Sequence, residues 1–329
     1  MIDRFALCGA VALVFATGAA FADTSACKLT QIASMEMFTE PSGVIAVPVV
    51  VNGAQHRFLV GTADPHTMLL AAFAESAHIP QKSINQQVTI HTPGGDAKKY
   101  GIVDSLVLGA SAAKNLNLVI APGDYPEDHE VVGSLGVDIL ANFDVEFDFA
   151  AHKLNLFSSD HCPNMGAYWA RQYAELPIDM KPLGRPAASW TLDGQPVTVT
   201  FSMDSPGSSM PFNFAKTRFG LDPGSPGVET AQAEKDGTPA HRYRFKQLSA
   251  EGVTITNPLV RLLGEPAETP CDVKTRYEKN RDDRAPNVLR RVKCYGSGDV
   301  ALGIRELSKM HLLFAFKENK LYFTAAGEH

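Results

Sequence analysis

Two short stretches decide the fold of this 329-residue chain: SLGVDIL at residues 134–140 and ALGIREL at residues 301–307. Both copies continue toward the C terminus without a gap. Each reaches a Lys-Leu pair, beginning at Lys153 and at Lys320, 17 residues after its glycine. Self-similarity over such a span indicates a repeated structural unit. The chain is therefore predicted to consist of two equivalent halves.

Each half carries matching features upstream of its glycine. An alternating apolar run over residues 46–51 turns at Asn52-Gly53, and a second over residues 188–192 turns at Asp193-Gly194. Such dipeptides between alternating runs are strong hairpin signals. Each hairpin leads into a small-residue loop, a helix-like run and a later hairpin turn, so the sequence predicts a mainly β fold in two lobes with few short helices. These three features lie at 61–64, 68–78 and 92–96 in the first half, and at 204–207, 211–219 and 235–239 in the second.

The composition excludes several classes of protein. Hydrophobic residues make up 45% of the chain and charged residues 20%, which is ordinary for a globular protein with a sizeable core. The net charge of −6 has the wrong sign for a protein that binds nucleic acid through its phosphates. The sequence contains no Walker loop, no C-x-x-C and no His-Glu-x-x-His pattern, and we expect neither a cofactor nor a metal ion.

Residues 1–22 are predicted to be a secretory signal peptide. Arg4 precedes a mainly apolar run from Phe5 to Phe21, which closes in Ala20-Phe21-Ala22 and offers a cleavage site before Asp23. An uncleaved membrane anchor is the alternative, although the run is short for a membrane span. We expect a periplasmic or secreted monomer that leaves the membrane after cleavage.

Four cysteines remain after the signal peptide: Cys27, Cys162, Cys271 and Cys294. An even count in an exported protein predicts disulfides, and three pairings are possible. The interval from the small-residue loop to the repeated glycine is 75 residues in the first half and 99 in the second. The excess of 24 residues equals the span 271–294. We interpret 271–294 as a surface insertion closed by its own two cysteines, which leaves Cys27 for Cys162.

In this order the features resemble the pepsin and retropepsin class of aspartic proteases, with two retropepsin-like lobes in one polypeptide. In that family each lobe supplies a strand ending in Asp-Thr/Ser-Gly, a hairpin flap, and two hydrophobic residues and a glycine that cross beneath the active loop. Leu135-Gly136 and Leu302-Gly303 resemble the last element, and Asp204-Ser205 resembles the second active loop.

The resemblance covers about residues 45–157 and 186–325. It implies a bilobal double β-barrel with a central cleft. We expect the first lobe at 23–160, a linker at 161–176 and the second lobe at 177–329.

Only one of the family's two catalytic carboxylates has a counterpart when the two loops are aligned in this way. An aspartic protease holds two carboxyl groups about 3 Å apart that share one proton. The resemblance places Gly61 at the first of these positions and Asp204 at the second. Pro206 takes the place of a glycine whose N–H supports the aspartate, and proline has no N–H. Thr62 and Ser205 keep the hydroxyl groups that interlock the two lobes in this family.

Asp64 is the nearest substitute for the missing carboxylate. Three residues along an extended chain span about 10 Å, so Asp64 would reach the site only through a rebuilt loop. We therefore interpret Asp64 as a turn residue before Pro65.

Three functional hypotheses follow. The favoured one is a catalytically impaired protein that binds an extended peptide in the cleft by strand addition to its flaps. The second is an active aspartic endopeptidase that uses Asp204 with an unidentified carboxylate, in this chain or in a second one. The third is a structural module with a filled cleft. For peptide binding we expect Thr62, Ser205, Gly94, Gly95 and Gly237 to line the cleft.

Overall fold

The computed structural model of the protein describes residues 29–85, 88–92, 94–123, 130–161, 163, 165–181, 184–233, 239–264, 274–278, 288–292 and 299–327. The predicted signal peptide, the four cysteines and Gly237 lie outside these residues, so the two disulfide pairs stay predictions. Within the described residues, no helix is long and apolar enough to cross a membrane.

The first half contains strands β1 Gln31–Glu36, β2 Phe38–Thr39, β3 Ile45–Val51, β4 Ala54–Val60, β5 Met68–Leu70, β6 Gln81–Ser83, β7 Ile90–Thr92, β8 Gly95–Ala97, β9 Lys99–Leu108, β10 Ser111–Ala121, β11 Val131–Leu135, β12 Phe143–Asp148 and β13 Lys153–Ser158, with helices α1 Ala71–Ser76 and α2 Val137–Leu140. The second half contains strands β14 Ala174–Pro177, β15 Asp179–Lys181, β16 Arg185–Leu192, β17 Gln195–Ser202, β18 Ser208–Pro211, β19 Glu229–Ala231, β20 Ala240–Arg244, β21 Gln247–Ala250, β22 Val253–Thr256, β23 Leu259–Leu263, β24 Lys274–Glu278, β25 Val288–Val292, β26 Val300–Gly303, β27 Met310–Ala315 and β28 Lys320–Ala325, with helices α3 Phe212–Phe219 and α4 Ile304–Leu307 and a 3₁₀ turn at Phe316–Glu318.

The first lobe is a closed barrel. The predicted hairpin forms between β3 and β4, where Asn52 (φ 49°) and Gly53 (φ 87°) adopt the positive φ angles of a tight hairpin turn. Strands β3, β4, β11, β5, β10 and β9 pair in that order, and β9 pairs back onto β3. Two of these pairings, β4 with β11 and β5 with β10, are parallel. The barrel therefore positions the end of β4 beside the end of β11.

The second lobe repeats this order of strands with local breaks. Strands β16, β17, β26, β18 and β23 follow one another like β3, β4, β11, β5 and β10, and the same two pairings are parallel. The counterpart of β9 is split into β20, which pairs with β23, and β21, which pairs with β16. The mainly β, bilobal fold class predicted from the repeat is confirmed.

A six-stranded sheet in the order β1-β13-β12-β27-β28-β14 joins the two lobes. Its central strands, β12 and β27, are antiparallel and come from opposite lobes, with Val145 opposite Phe314 and Phe147 opposite Leu312. These four side chains are buried in one hydrophobic core that extends through both halves of the chain. The core therefore holds the lobes in a fixed relation.

The opposite face of this sheet buries a polar network centred on Glu146. Its carboxylate accepts hydrogen bonds from Asn155 Nδ2 at 2.5 Å and Tyr168 Oη at 2.9 Å, and it lies 3.0 Å from His311 Nε2. Trp169 stacks on the His311 ring with 3.9 Å between centroids. Tyr168 and Trp169 belong to the segment between the lobes, so this segment packs against the sheet.

The repeated glycines are explained by a close approach of two backbone segments. A Cβ atom on Gly136 would lie 2.4 Å from the carbonyl carbon of His66, and one on Gly303 would lie 2.3 Å from that of Gly207. The Gly136 N–H donates to Thr67 Oγ1 and the Gly303 N–H to Ser208 Oγ. Each glycine thus passes directly beneath a loop that follows β4 or β17.

Candidate active site

Two equivalent loops begin where β4 and β17 end. Val60 pairs with Leu135 at the end of β4, and the Gly61 N–H donates to Leu135 O at 2.8 Å. In the second lobe Ser202 pairs with Gly303. Because Gly303 repeats Gly136, the residue equivalent to Gly61 is Ser202.

Hydrogen bonds further along the loops give the same register. The Val137 N–H donates to Asp64 O at 2.8 Å, and the Ile304 N–H donates to Ser205 O at 2.9 Å. The loops are therefore GTADP at residues 61–65 and SMDSP at residues 202–206. The sequence-based alignment of Asp204 with Gly61 is wrong by two residues, because the second loop starts at Ser202.

This register changes two sequence-based arguments. Pro206 corresponds to Pro65, so it does not replace a supporting glycine. The interval from the loop to the repeated glycine becomes 101 residues in the second half, and its excess over the first half no longer equals the span 271–294. The proposed cysteine pairing loses that support.

Thr62 connects the two loops at their base. Its buried Oγ1 donates to Phe201 O at 2.7 Å and accepts from Met203 N–H at 3.2 Å. Ser205 does not take part in an equivalent bond, since its Oγ donates within its own loop to Gly207 O at 2.9 Å. The expectation that Ser205 interlocks the lobes is therefore wrong. Met203 occupies the position equivalent to Thr62 and contributes its backbone instead.

The Asp64 side chain fills the space beside Gly61. A Cβ atom on Gly61 would lie 2.5 Å from Asp64 Oδ2 and 2.9 Å from Asp64 Cβ. The prediction that Asp64 lies about 10 Å from position 61 assumed an extended chain. It is wrong because the loop folds back. The Asp64 N–H donates to Gly61 O at 3.0 Å, which closes a turn. Asp64 thus places a carboxyl group where a side chain of residue 61 would begin.

Asp64 and Asp204 interact electrostatically across the two loops. Burial, followed by the negative charge of Asp204, raises the pKa of Asp64 to about 8. Burial also raises the pKa of Asp204, against the lowering effects of the Ser202 hydroxyl, its own backbone N–H and Arg185. Ser202 Oγ donates to Asp204 Oδ1 at 2.8 Å. At neutral pH the pair therefore retains a proton, which is the state that general acid and base chemistry requires.

Sequence reasoning missed two other polar groups at this site. Arg185 Nε donates to Ala63 O at 2.7 Å, and its positive charge lowers the pKa of both Asp64 and Asp204. Ser134 Oγ donates to Asp64 Oδ2 at 3.4 Å. Arg185 lies in no recognisable motif, and Ser134 opens the repeated stretch 134–140 without itself being repeated, since residue 301 is alanine. The correct alignment of the two loops could have been found in the sequence, because placing Pro65 opposite Pro206 aligns Gly61 with Ser202.

The first predicted flap is a hairpin between β7 and β8. Thr92 pairs with Gly95, which adopts a φ of +118°, and Gly94 is exposed at the turn. A second hairpin, β19 with β20, lies at the corresponding place in the second lobe, with its tip mostly outside the described residues. Contact of Gly94 or Gly95 with a peptide stays a prediction.

We expect Gly61→Ala to displace the Asp64 carboxyl group, because the new methyl group would lie within 3 Å of Asp64 Oδ2. Moving this carboxyl group toward solvent and away from Asp204 should lower its pKa from about 8 toward the ordinary aspartate range. A carbon-detected NMR titration of labelled aspartate measures this change. Gly224→Ala is the control, since no atom lies within 4 Å of its added methyl group. An unchanged Asp64 titration in Gly61→Ala would refute the placement.

Two equivalent β lobes, a threonine that binds across them and one aspartate on each active loop define the aspartic protease-like class. Residues 47–139, which make up most of the first lobe, match the family model described as aspartyl protease. The search of curated proteins gave no match. Among solved structures, the crystal structure of Basic 7S globulin from soybean is 11% identical, with a TM-score of 0.46 over 92% of this chain and 100% of that chain.

Proposed function

We propose that this protein is an aspartic-type peptidase in which Asp64 and Asp204 form a relocated acid pair. The observation that carries the proposal is the Asp64 carboxyl group, which lies beside Gly61 and interacts with Asp204. The carboxyl partner of Asp204 is then Asp64, a residue of the same chain.

The acid pair works through the proton that it shares. The ionised carboxylate accepts a proton from the attacking water, and the protonated carboxyl group donates one to the carbonyl oxygen of the scissile peptide bond. Ser202 and Ser134 orient the two carboxyl groups by donating to Asp204 and Asp64. Thr62 holds the two loops at a fixed distance, since its hydroxyl group bonds the backbone of the second loop.

The substrate in this proposal is an extended peptide in the cleft between the lobes. The β7–β8 hairpin offers backbone groups for strand addition. Export through residues 1–22 and a monomeric state belong to the same proposal.

A second candidate function is peptide binding without hydrolysis. It is favoured by the side chains at the two equivalent loop positions, where Gly61 and Ser202 carry no carboxyl group. Arg185 also favours it, because a nearby guanidinium group stabilises ionised carboxylates and opposes proton sharing.

A peptidase assay separates the two functions. The purified chain is incubated with an unfolded protein substrate between pH 3 and pH 9, with and without a pepstatin-like inhibitor, and products are identified by mass spectrometry. We expect cleavage that the inhibitor suppresses. Peptide retention without cleavage at any pH would favour the second function and reject the first.

A further inference from the structure

A cavity of about 610 Å³ lies beside the second active loop. Residues 205–209, which run from the end of that loop into β18, form one wall, and Leu259 and Leu263 of β23 contribute an aliphatic part. Residues 231–233 and three arginines, Arg242, Arg261 and Arg305, form the rest of the lining. Among the described residues that line the cavity, none is acidic. The wall of this cavity therefore carries a concentration of positive charge in a chain whose net charge is −6.

Two of the arginines are placed against each other at a cost. Arg242 on β20 lies directly opposite Arg261 on β23 in the antiparallel ladder. Like charges at opposite positions destabilise a sheet. Glu229 offsets part of this cost through its contact with Arg242 Nε at 2.7 Å, and Arg261 Nη2 donates to Gln232 O at 2.9 Å. A costly arrangement that faces a cavity suggests a binding role for both side chains.

Arg305 differs from its counterpart in the first lobe. Both Asp138 and Arg305 stand two residues after the repeated glycine. Asp138 has a structural role, since its carboxylate accepts from the backbone N–H and the hydroxyl group of Thr67 at 2.8 and 2.7 Å. In the second lobe Ser208 donates instead to Glu306 Oε2 at 2.8 Å. The neighbouring glutamate has taken over the anchoring role that Asp138 fills in the first lobe.

Arg305 is therefore available for a ligand. Its side chain is exposed and approaches Gly207, directly after the active loop, with Nη1 3.8 Å from where a Cβ atom of that residue would lie. Within the described residues, it has no hydrogen bond or ion pair. A charge reversal from Asp138 to Arg305 makes the two lobes electrostatically different at these equivalent positions.

We propose that the arginine pocket, defined by Arg242, Arg261 and Arg305, binds a carboxylate group of the peptide in the cleft. The carboxylate comes from an acidic side chain or from the peptide C terminus, and guanidinium groups bind either in a bidentate manner. The inference rests on the proposed function in one respect, that an extended peptide occupies the cleft. It adds that the second lobe selects peptides that carry a carboxylate group.

Retention of defined peptide libraries tests the inference. The full chain is immobilised and exposed to acetylated, amidated decapeptide libraries with Glu, Gln or Lys fixed at one position, and to the Gln library with a free C terminus. Intact and cleaved peptides are counted together by mass spectrometry. We expect the Glu library, the free-carboxyl library or both to be retained roughly ten-fold more than the amidated Gln library. Which of the two is enriched identifies the source of the carboxylate.

Two variants make this test specific. Arg305→Glu should abolish the preference and favour the Lys library, whereas Arg171→Glu makes the same charge change at an exposed position outside the pocket and should leave the preference intact. The preference should also shrink at high salt. Equal retention of the carboxylate and amidated Gln libraries, or no retention at all, would overturn the inference. Cleavage without a carboxylate preference would overturn the inference about the arginine pocket and leave the peptidase proposal standing. Retention with a carboxylate preference but without cleavage would support the inference and reject the peptidase proposal.

Discussion

Asp204→Asn and Asp64→Asn are each expected to lower kcat/KM for peptide hydrolysis by about 10³-fold, within the range that one general acid or base contributes. An amide cannot take up or release the shared proton, so either replacement disables both steps. Asp104→Asn removes an exposed aspartate of β9 and should leave the rate unchanged. Hydrolysis that persists at the wild-type rate in Asp204→Asn would place the catalytic groups elsewhere.

The rate of the wild-type protein should depend on pH in a specific way. Hydrolysis requires one proton on the pair, and such coupled groups titrate in two steps. Since the pKa of Asp64 is about 8, activity should fall as pH rises through about 8, where both carboxyl groups ionise. Activity should also fall in strong acid, where both are protonated. The profile should thus extend to neutral pH, beyond a purely acidic optimum.

The pH dependence of folding stability reports on the pKa of Asp64 without any substrate. The folded-state pKa of Asp64, about 8, lies above its ordinary value of 3.8. The folded state therefore binds more protons than the unfolded state between these values. This contribution to stability is fully present below about pH 4 and is lost as pH rises through about 8. Asp64→Asn should accordingly become more stable than wild type as pH rises, measured by urea unfolding, with Asp104→Asn as control. Parallel pH curves for Asp64→Asn and wild type would contradict the burial of this group.

The largest loss of stability should come from the polar network on the inter-lobe sheet. Glu146 is 0% exposed and His311 is 3% exposed. Removing one partner of a buried hydrogen-bonded pair typically costs about 1 to 3 kcal/mol, because the polar group of the other stays buried without a partner. Glu146→Leu also strands the donors of Asn155 and Tyr168. We expect Glu146→Leu and His311→Leu each to lower the free energy of unfolding by this amount at pH 7.

A double variant separates the pairing from the packing. Glu146→Leu with His311→Leu removes both partners of this hydrogen bond, so its loss should be smaller than the sum of the single losses. Glu36→Leu replaces an exposed glutamate of β1 and should change stability by no more than about 0.5 kcal/mol. Single losses below about 1 kcal/mol, or strictly additive ones, would mean that the network contributes little.

The parts of the fold that the sequence predicted are those set by local chemistry. Asn52-Gly53 and Asp193-Gly194 predict their hairpins because only a few residues tolerate the required positive φ angles. Gly136 and Gly303 predict the repeat because any side chain there would meet backbone atoms of the active loops.

The site was predicted less well because it depends on contacts between distant residues. Whether the second loop starts at Ser202 or at Asp204 is decided by pairing with β26, about 100 residues away in sequence. The position of Asp64 depends on a turn whose closing bond involves only backbone atoms. Arg185 reaches Ala63 from the other lobe, and no local pattern indicates such a contact.

The six-stranded sheet has a consequence for the chain as a whole. Strands β12 and β27 meet at its centre, so the seam between the lobes is an interior position of a continuous hydrogen-bonded sheet. Either lobe by itself would end in an uncovered edge strand with an apolar face, which is a template for pairing with another chain. Because the linker joins the two lobes, the edge strand of one lobe stays close to the edge strand of the other. Each lobe thus supplies the strand with which the central edge of the other lobe pairs.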